Sequence, residues 1–405
     1  MNWFKFKCSK NICSTKAQIK KPLKFSEKIN NFIFHNKFSE IVFFLMIILI
    51  FEFTFKIWGL IADYIDQIGG LIISNLHSYN IFLTSTISAI FGLLMYLPNI
   101  IILYFFLYLL NDSGILTAYS VKFDKFLNKL WISWHWFLSM SLGFGCTVPA
   151  ILSTKNLPTK EKIIVIMSLP FIPCSAKLPI FVLLISLFVT KSFQSLALLG
   201  VYLLSIIFSI ISLKIISSIL YYKPCIKTRL VTYKIPSIKQ IFVKILEVLK
   251  EFIFKIWIFV IPITIGLTLL FKLPNWDIQT SYWKQIWEKI SVIFQPLGFN
   301  EKMSISIFPG IIWKELIVST LSNLYAIENP HNTSLIKEHL QQDSNINFKN
   351  TISFLIFILL YTTCIGSIIT AFRQLGWKFG LLFAIIPSIV AYLVSLIIYQ
   401  AFILF

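Results

Sequence analysis

Gly143-Phe144-Gly145-Cys146-Thr147-Val148-Pro149 and, a short way on, Pro173-Cys174-Ser175-Ala176-Lys177-Leu178-Pro179 decide how this chain folds. Each stretch lies in an apolar run, and each couples one cysteine to a proline a few residues later. Proline removes a backbone donor and frees a carbonyl one turn upstream. Within a membrane, such freed groups persist only where protein or trapped water satisfies them. Segment 143–179 is therefore expected to be broken helix facing an interior, with a thiol beside each break.

The surrounding chain is built for lipid. Of its 405 residues, 57% are apolar and 13% charged, and the mean hydropathy is +0.81; a soluble domain carries about 25% charged residues. The expected fold class is all-α, a polytopic membrane protein of about eight to ten helical segments, because several runs exceed the ~20 apolar residues that span a bilayer. The net charge of +19 comes from 36 basic residues, of which only Arg229 and Arg373 are arginine. They concentrate in short links between apolar runs, the distribution of the positive-inside rule. No long basic, aromatic-interleaved surface is present, so nucleic acid is not an expected partner.

Residues 1–30 form a basic tail without the apolar core of a signal peptide, expected to lie in the cytoplasm against anionic headgroups. Residues 31–82 hold a first span, 41–60, and an amphipathic segment, 61–76. A second span, 84–110, opens the division 83–222. Residues 223–250 form the most basic link, expected to be a cytoplasmic loop, and 251–405 complete the chain. Charge placement then poses a problem. Basic links flank 131–153 on both sides, which conflicts with a single crossing. The conflict disappears if 131–153 is re-entrant, entering and leaving on one side with its break at Gly143-Phe144-Gly145. The same reasoning makes 303–327, with Pro309-Gly310 and Lys314-Glu315 in its middle, re-entrant from the other side. Gly143–Thr154 (GFGCTVPAILST) and Pro309–Thr320 (PGIIWKELIVST) run in weak register. Inverted repeats with broken helices are one way in which secondary transporters build a substrate site.

Catalytic chemistry has little to rest on. His35, His77, His135, His331 and His339 are scattered without metal-ligand spacing, and no Gly-Lys dipeptide occurs, which excludes a Walker A loop within these residues. The chain is not expected to be an enzyme. Cys8 and Cys13 of the tail lack further nearby ligands and are expected to be free thiols. What remains is an intramembrane set: Cys146, Cys174, Cys364, Glu315, Lys177 and Lys314. A buried cysteine is by default a small hydrophobe, but three thiols flanked by helix breakers shift that balance. Thiolates with a carboxylate suit a borderline divalent metal such as Fe²⁺. Glu315 stands out because a carboxylate inside an apolar segment is costly unless paired or ligated.

These residues also carry a family resemblance. Gly143-Phe144-Gly145-Cys146-Thr147-Val148-Pro149-Ala150 resembles the first Gate motif of the ferrous iron transport protein B family. Pro173-Cys174-Ser175-Ala176-Lys177-Leu178-Pro179 resembles the motif that follows it there. Pro296-Leu297-Gly298-Phe299 with Trp313-Lys314-Glu315, and Leu359-Leu360-Tyr361-x-x-Cys364, continue the likeness. The resemblance implies two Gate halves, 83–222 and 251–405, in a bacterial inner-membrane Fe²⁺ permease with a cytoplasmic N-terminus. It implies Cys146, Cys174, Glu315 and Cys364 as metal-contacting residues. Gly143, Gly145, Thr147, Pro149, Ser175, Lys177, Pro179 and Lys314 follow as gate or pore residues. Fe²⁺ is cargo, and no permanently bound cofactor is expected. The chain departs from the family at Asn111, Lys177 and Thr363, and the family's amino-terminal GTP-binding domain has no counterpart in it. Expected partners are thus the membrane, a separate GTPase chain acting in trans, and further copies in a homo-oligomer. The alternatives are a Gate-type transporter of an organic solute such as a nucleoside, or a non-transporting membrane subunit of a GTPase.

Overall fold

In a computed structural model of the chain, the described residues are 38–76, 134–221, 237–255, 290–314, 316–325 and 346–404, with scattered positions between 98 and 122 and residues 339–340. The basic tail 1–30, Glu315, and most of the expected spans 84–110 and 253–271 lie outside them.

The first element, α1 (Ser39–Leu76), is one helix of 38 residues. At 1.5 Å per residue it is ~57 Å long, more than a hydrocarbon core requires. The sequence divided this region into a span and a separate amphipathic segment. The helix runs through because no proline interrupts it, and Gly59, Gly69 and Gly70 do not stop a helix whose neighbours favour it.

The first broken element is α2 (Trp134–Gly143) and α3 (Thr147–Ser153). The two pack together as a hairpin, tied by Ser139 Oγ and Ser153 Oγ at 2.8 Å. That is the geometry expected of a re-entrant pair. A broken span follows, α4 (Thr159–Ser168) and α5 (Leu178–Phe188), with 3₁₀ turns at Leu169–Phe171 and Ser175–Lys177. The long unbroken α6 (Lys191–Ile219) completes this half. Next comes α7 (Ile238–Lys255), which corrects the reading of 223–250 as a loop. From Ile238 on, apolar residues recur at helical spacing, and the lysines fall between them rather than in a run.

The second half repeats the plan. Its first element is α8 (Glu301–Ile307) and α9 (Pro309–Ile312), folded back on α10 (Leu316–Leu324). Asn300 caps α8, its Oδ1 accepting from the Met303 amide at 2.8 Å. The broken span is α11 (Phe348–Leu360) and α12 (Ile365–Leu375), and the unbroken helix is α13 (Trp377–Leu404). Among the described residues four helical runs are long and apolar enough to cross a membrane: Thr159–Phe188, Ser192–Ile219, Phe348–Leu375 and Trp377–Leu404. The protein is an all-α membrane protein.

Ring contacts fix the relative direction of the halves. Phe188, at the end of α5, meets Phe348, at the start of α11, with centroids 5.6 Å apart. Phe348 also meets Phe402, near the end of α13, at 6.4 Å. At the opposite end, Lys160 near the start of α4 donates to the Leu220 carbonyl just past α6. So α4–α5 and α11–α12 run in opposite directions, which makes the repeat inverted. The packing is exchanged accordingly. Helix α3 packs on α12 as α10 packs on α5, and α4 meets α12 and α13 as α11 meets α5 and α6.

Two apolar cores result. One gathers Trp136, Ile163–Met167, Ala371 and Phe383 at the α4 end. The other gathers Phe181, Leu183–Ile185, Leu297, Met303 and Phe354–Leu360 at the α11 end. Buried serines hold the helices together within each half. Ser209 Oγ donates to the Ser168 carbonyl at 3.0 Å. Ser353 Oγ donates to the carbonyls of Leu297 (2.8 Å) and Ser395 (3.3 Å), and Ser395 Oγ returns a bond to the Ser353 carbonyl (3.2 Å). Small hydroxyl residues allow such close helix packing in lipid. The helix breaks lie between the two cores.

Candidate functional site

Four breaks meet at this level, and their backbones match in pairs. Cys146 (φ −152°, ψ 133°) corresponds to Trp313 (φ −140°, ψ 132°). Cys174 (φ −79°, ψ 165°) corresponds to Cys364 (φ −64°, ψ 159°). Each cysteine is the extended residue that opens a half-helix. Residues 171–180 and 361–370 also share one residue-by-residue order of burial. This geometry moves the first repeat register by one position from that read in the sequence. Gly143 pairs with Gly310 and Thr147 with Lys314, because the break, not the flanking Ser-Thr letters, sets the correspondence.

Within each half the two breaks are bonded to one another. The Gly145 carbonyl accepts from Ser175 twice, from the amide at 3.2 Å and from Oγ at 2.9 Å. In the other half Lys314 Nζ donates to the Thr362 carbonyl at 2.5 Å. A third bond crosses between halves, Lys177 Nζ to the Leu359 carbonyl at 2.8 Å. Both ammonium groups thereby reach carbonyls at the C-terminal end of α11, which the break leaves without helical donors. Lys177 and Lys314 are each 1% exposed. Tyr361 lies with them, stacked on Phe357 at 5.4 Å and with Lys314 Nζ 3.3 Å from its ring centroid. Its ring face stabilises a desolvated cation.

The expected site residues fall as follows. Cys146, Cys174 and Cys364 are half-buried and form no disulfide. Lys177 lies within electrostatic reach of both Cys174 and Cys364, so those two thiols and one ammonium belong to one locality. Cys146 adjoins it through the Gly145–Ser175 bond. Gly143 is buried, and a Cβ there would touch Ile172 at 3.4 Å. Thr147 is buried, Pro149 is half-buried in α3, and Pro179 occupies the first turn of α5. Glu315 lies outside the described residues. Among the described residues, no three His, Cys, Asp or Glu side chains cluster closely enough to hold a metal ion.

Several participants escaped the sequence reading. Ser367 stands where Lys177 stands in the other half, with its Oγ 3.4 Å from Cys364 Sγ. Thr362 and Thr363 are buried, and their hydroxyls find no hydrogen-bond partner among the described residues. Tyr202 of α6 stacks on Phe144 at 5.7 Å and lies within electrostatic reach of Cys174. His135 Nδ1 meets Glu161 Oε1 at 2.8 Å near the starts of α2 and α4. That pairing joins residues 26 apart and carries no spacing signature.

Comparison with known proteins agrees with the geometry. The Gate family model, described as nucleoside recognition, matches residues 93–190 and 203–378. The chain is 29% identical to the Fe(2+) transporter FeoB of Staphylococcus aureus, over 93% of this chain and 59% of that protein. It is 25% identical to the Fe(2+) transporter FeoB of Campylobacter jejuni, over 92% of this chain and 64% of that one. For the Methanocaldococcus jannaschii protein of the same name the figures are 25%, 92% and 58%. The chain thus spans about three-fifths of the length of these relatives. No solved structure matches it. With two broken elements in inverted repeat and a family match over most of its length, the chain belongs to the Gate family.

Proposed function

We propose that the chain is the permease core of an Fe²⁺ transporter, in a bacterial inner membrane with its N-terminus in the cytoplasm. The observation that carries this reading is the placement of Cys146, Cys174 and Cys364. Each opens a half-helix at a break, each is half-buried, and the lysines beside them are fully buried. The relatives' name, Fe(2+) transporter, supports the same cargo. Soft thiols suit Fe²⁺ over Mg²⁺. Ligands held apart suit an ion that must leave again, because conduction needs binding weak enough to release. Glu315, one residue beyond Lys314, is assigned to the same path. A GTP-driven step that uses a Walker A loop needs that loop outside these 405 residues, since no Gly-Lys dipeptide lies within them.

A second reading has an observation of its own. Half-helix N-termini carry partial positive charge, and two buried ammonium groups stand beside them. That environment suits a polar organic solute such as a nucleoside. The purified chain in anaerobic liposomes loaded with an Fe²⁺-quenched dye separates the two. Fe²⁺ entry that falls sharply in Cys174→Ser and Glu315→Gln supports the first reading. Entry absent from wild type, with nucleoside uptake indifferent to thiol loss, supports the second.

A further inference from the structure

Helix α7 has two apolar faces, and among the described residues only one of them packs inside the protein. Ile241 and Ile245 are buried against Tyr104 and the residues around it, Ile101, Phe105, Tyr108 and Leu109. A salt bridge clamps this seat, Lys244 Nζ to Asp112 at 2.8 Å, with Nζ 5.5 Å from the Tyr108 ring centroid. The neighbouring stripe faces outward: Ile238, Phe242 and Leu246 are 72%, 61% and 43% exposed. These three are spaced i, i+4, i+8 and form one continuous edge.

The charges are sorted around that edge. At about 100° per residue, Lys239 and Lys250 fall about 20–40° past Leu246, between it and Val243, which is 49% exposed and about 60° past Leu246. Both are exposed. Positions Glu247 and Glu251 fall about 100° and 140° past Leu246, with Gln240 between them, on the side turned furthest from Ile238, Phe242 and Leu246. An exposed apolar face that carries lysines and leaves its acids on the far side is the pattern of a helix lying in a membrane interface. Lysine stems cover apolar surface while their ammonium groups reach the headgroups. The lysines lie nearer the centre of the apolar face than the acids do, so whatever this face rests on meets positive charge first, which an anionic leaflet complements.

We infer that α7 lies in the membrane surface, with Ile238, Phe242 and Leu246 in the acyl boundary and Lys239 and Lys250 on anionic headgroups. The Lys244–Asp112 clamp makes this contact a fixed part of the transporter body rather than a free tether. Two surface lysines favour an anionic over a zwitterionic leaflet by about 30-fold in partitioning.

The full chain in liposomes tests this. Diazirine-bearing phosphatidylglycerol or phosphatidylcholine is photolysed, and the labelled peptides are mapped by mass spectrometry. The peptide containing Phe242 is expected to be labelled several-fold more by the anionic lipid. In Lys239→Gln/Lys250→Gln that preference disappears while labelling persists, and in Phe242→Ser labelling itself falls. Equal labelling of the wild type by both lipids overturns the headgroup assignment. No labelling by either lipid overturns the membrane placement in favour of a protein ligand.

Discussion

Lys177 Nζ donates to the Leu359 carbonyl over 2.8 Å, joining residues 182 apart in the chain and belonging to opposite repeats. Lys314 reaches the Thr362 carbonyl three residues further on. Two fully buried ammonium groups thus finish one helix end. Desolvating an ammonium costs several kcal/mol, while leaving a buried carbonyl without its donor costs about 1–3 kcal/mol. Lys177→Met, which keeps the stem, is therefore expected to change stability little. Lys177→Ala, which also empties the space, is expected to lose about 2–5 kcal/mol. Thermal unfolding in detergent checks both; a Met variant that falls as far as Ala would mean that the charge itself is net stabilising.

If Cys174 and Cys364 meet the cargo, the cargo shields them. Under anaerobic conditions Fe²⁺ is expected to slow alkylation of both by a membrane-permeant maleimide, whereas Mg²⁺, an oxygen-seeking ion, leaves it unchanged. Peptide mass spectrometry reads each site separately. Identical rates with and without Fe²⁺ would remove the thiols from the path.

Two glycines predict opposite outcomes for one substitution. A Cβ at Gly310 would meet Ile317 Cγ1 and Tyr361 Oη, each at 2.5 Å. Gly310→Ala therefore forces apart α9, α10 and the Tyr361 ring, at about 1–3 kcal/mol. At Gly200, within α6, nothing lies within 4 Å, so Gly200→Ala is expected to gain up to about 1 kcal/mol of helix propensity. Unfolding midpoints that move in opposite directions bear this out.

The Ser353–Ser395 pair joins α11 to α13 by reciprocal side-chain bonds to the partner's carbonyl. Hydrogen bonds between membrane helices average about 0.6 kcal/mol in double-mutant cycles. Ser353→Ala and Ser395→Ala each remove one such bond and leave the backbone acceptor, so each is expected to lose about that much and the two losses to add nearly independently. Single losses near zero would mean that the small side chains serve close packing alone.

Much of this architecture was legible beforehand. The prolines and glycines of 143–149 and 173–179 marked real breaks, and lysine placement pointed to re-entrant elements of opposite sense. Both signals are local: a breaker acts within one turn, and a charge reports the side of one link. The sequence misplaced the repeat register by one residue because shared letters at Ser153-Thr154 and Ser319-Thr320 outweighed the breaks. It hid the helix in 238–255 behind lysines counted as a run rather than placed on a wheel. It named Lys177 and Lys314 without their acceptors, since the Leu359 and Thr362 carbonyls are backbone atoms that no residue letter marks. Tyr361 was visible only as part of a motif; its role between two ammonium groups depends on chain segments that meet only in three dimensions.

Lys177 and Lys314 stand where the opposite repeat has Ser367 and Thr147. In a carrier whose repeats trade roles to open alternately on either side, matched hinges would make the two open states equal in energy. Here the second half's break is closed by an ammonium–carbonyl bond, Lys314 to Thr362, and the first by the Ser175–Gly145 contacts, while Lys177 to Leu359 ties the first break to the second half. The two breaks are thus held by bonds of different kind, and a carrier built on them would rest facing one compartment until its cargo turned it.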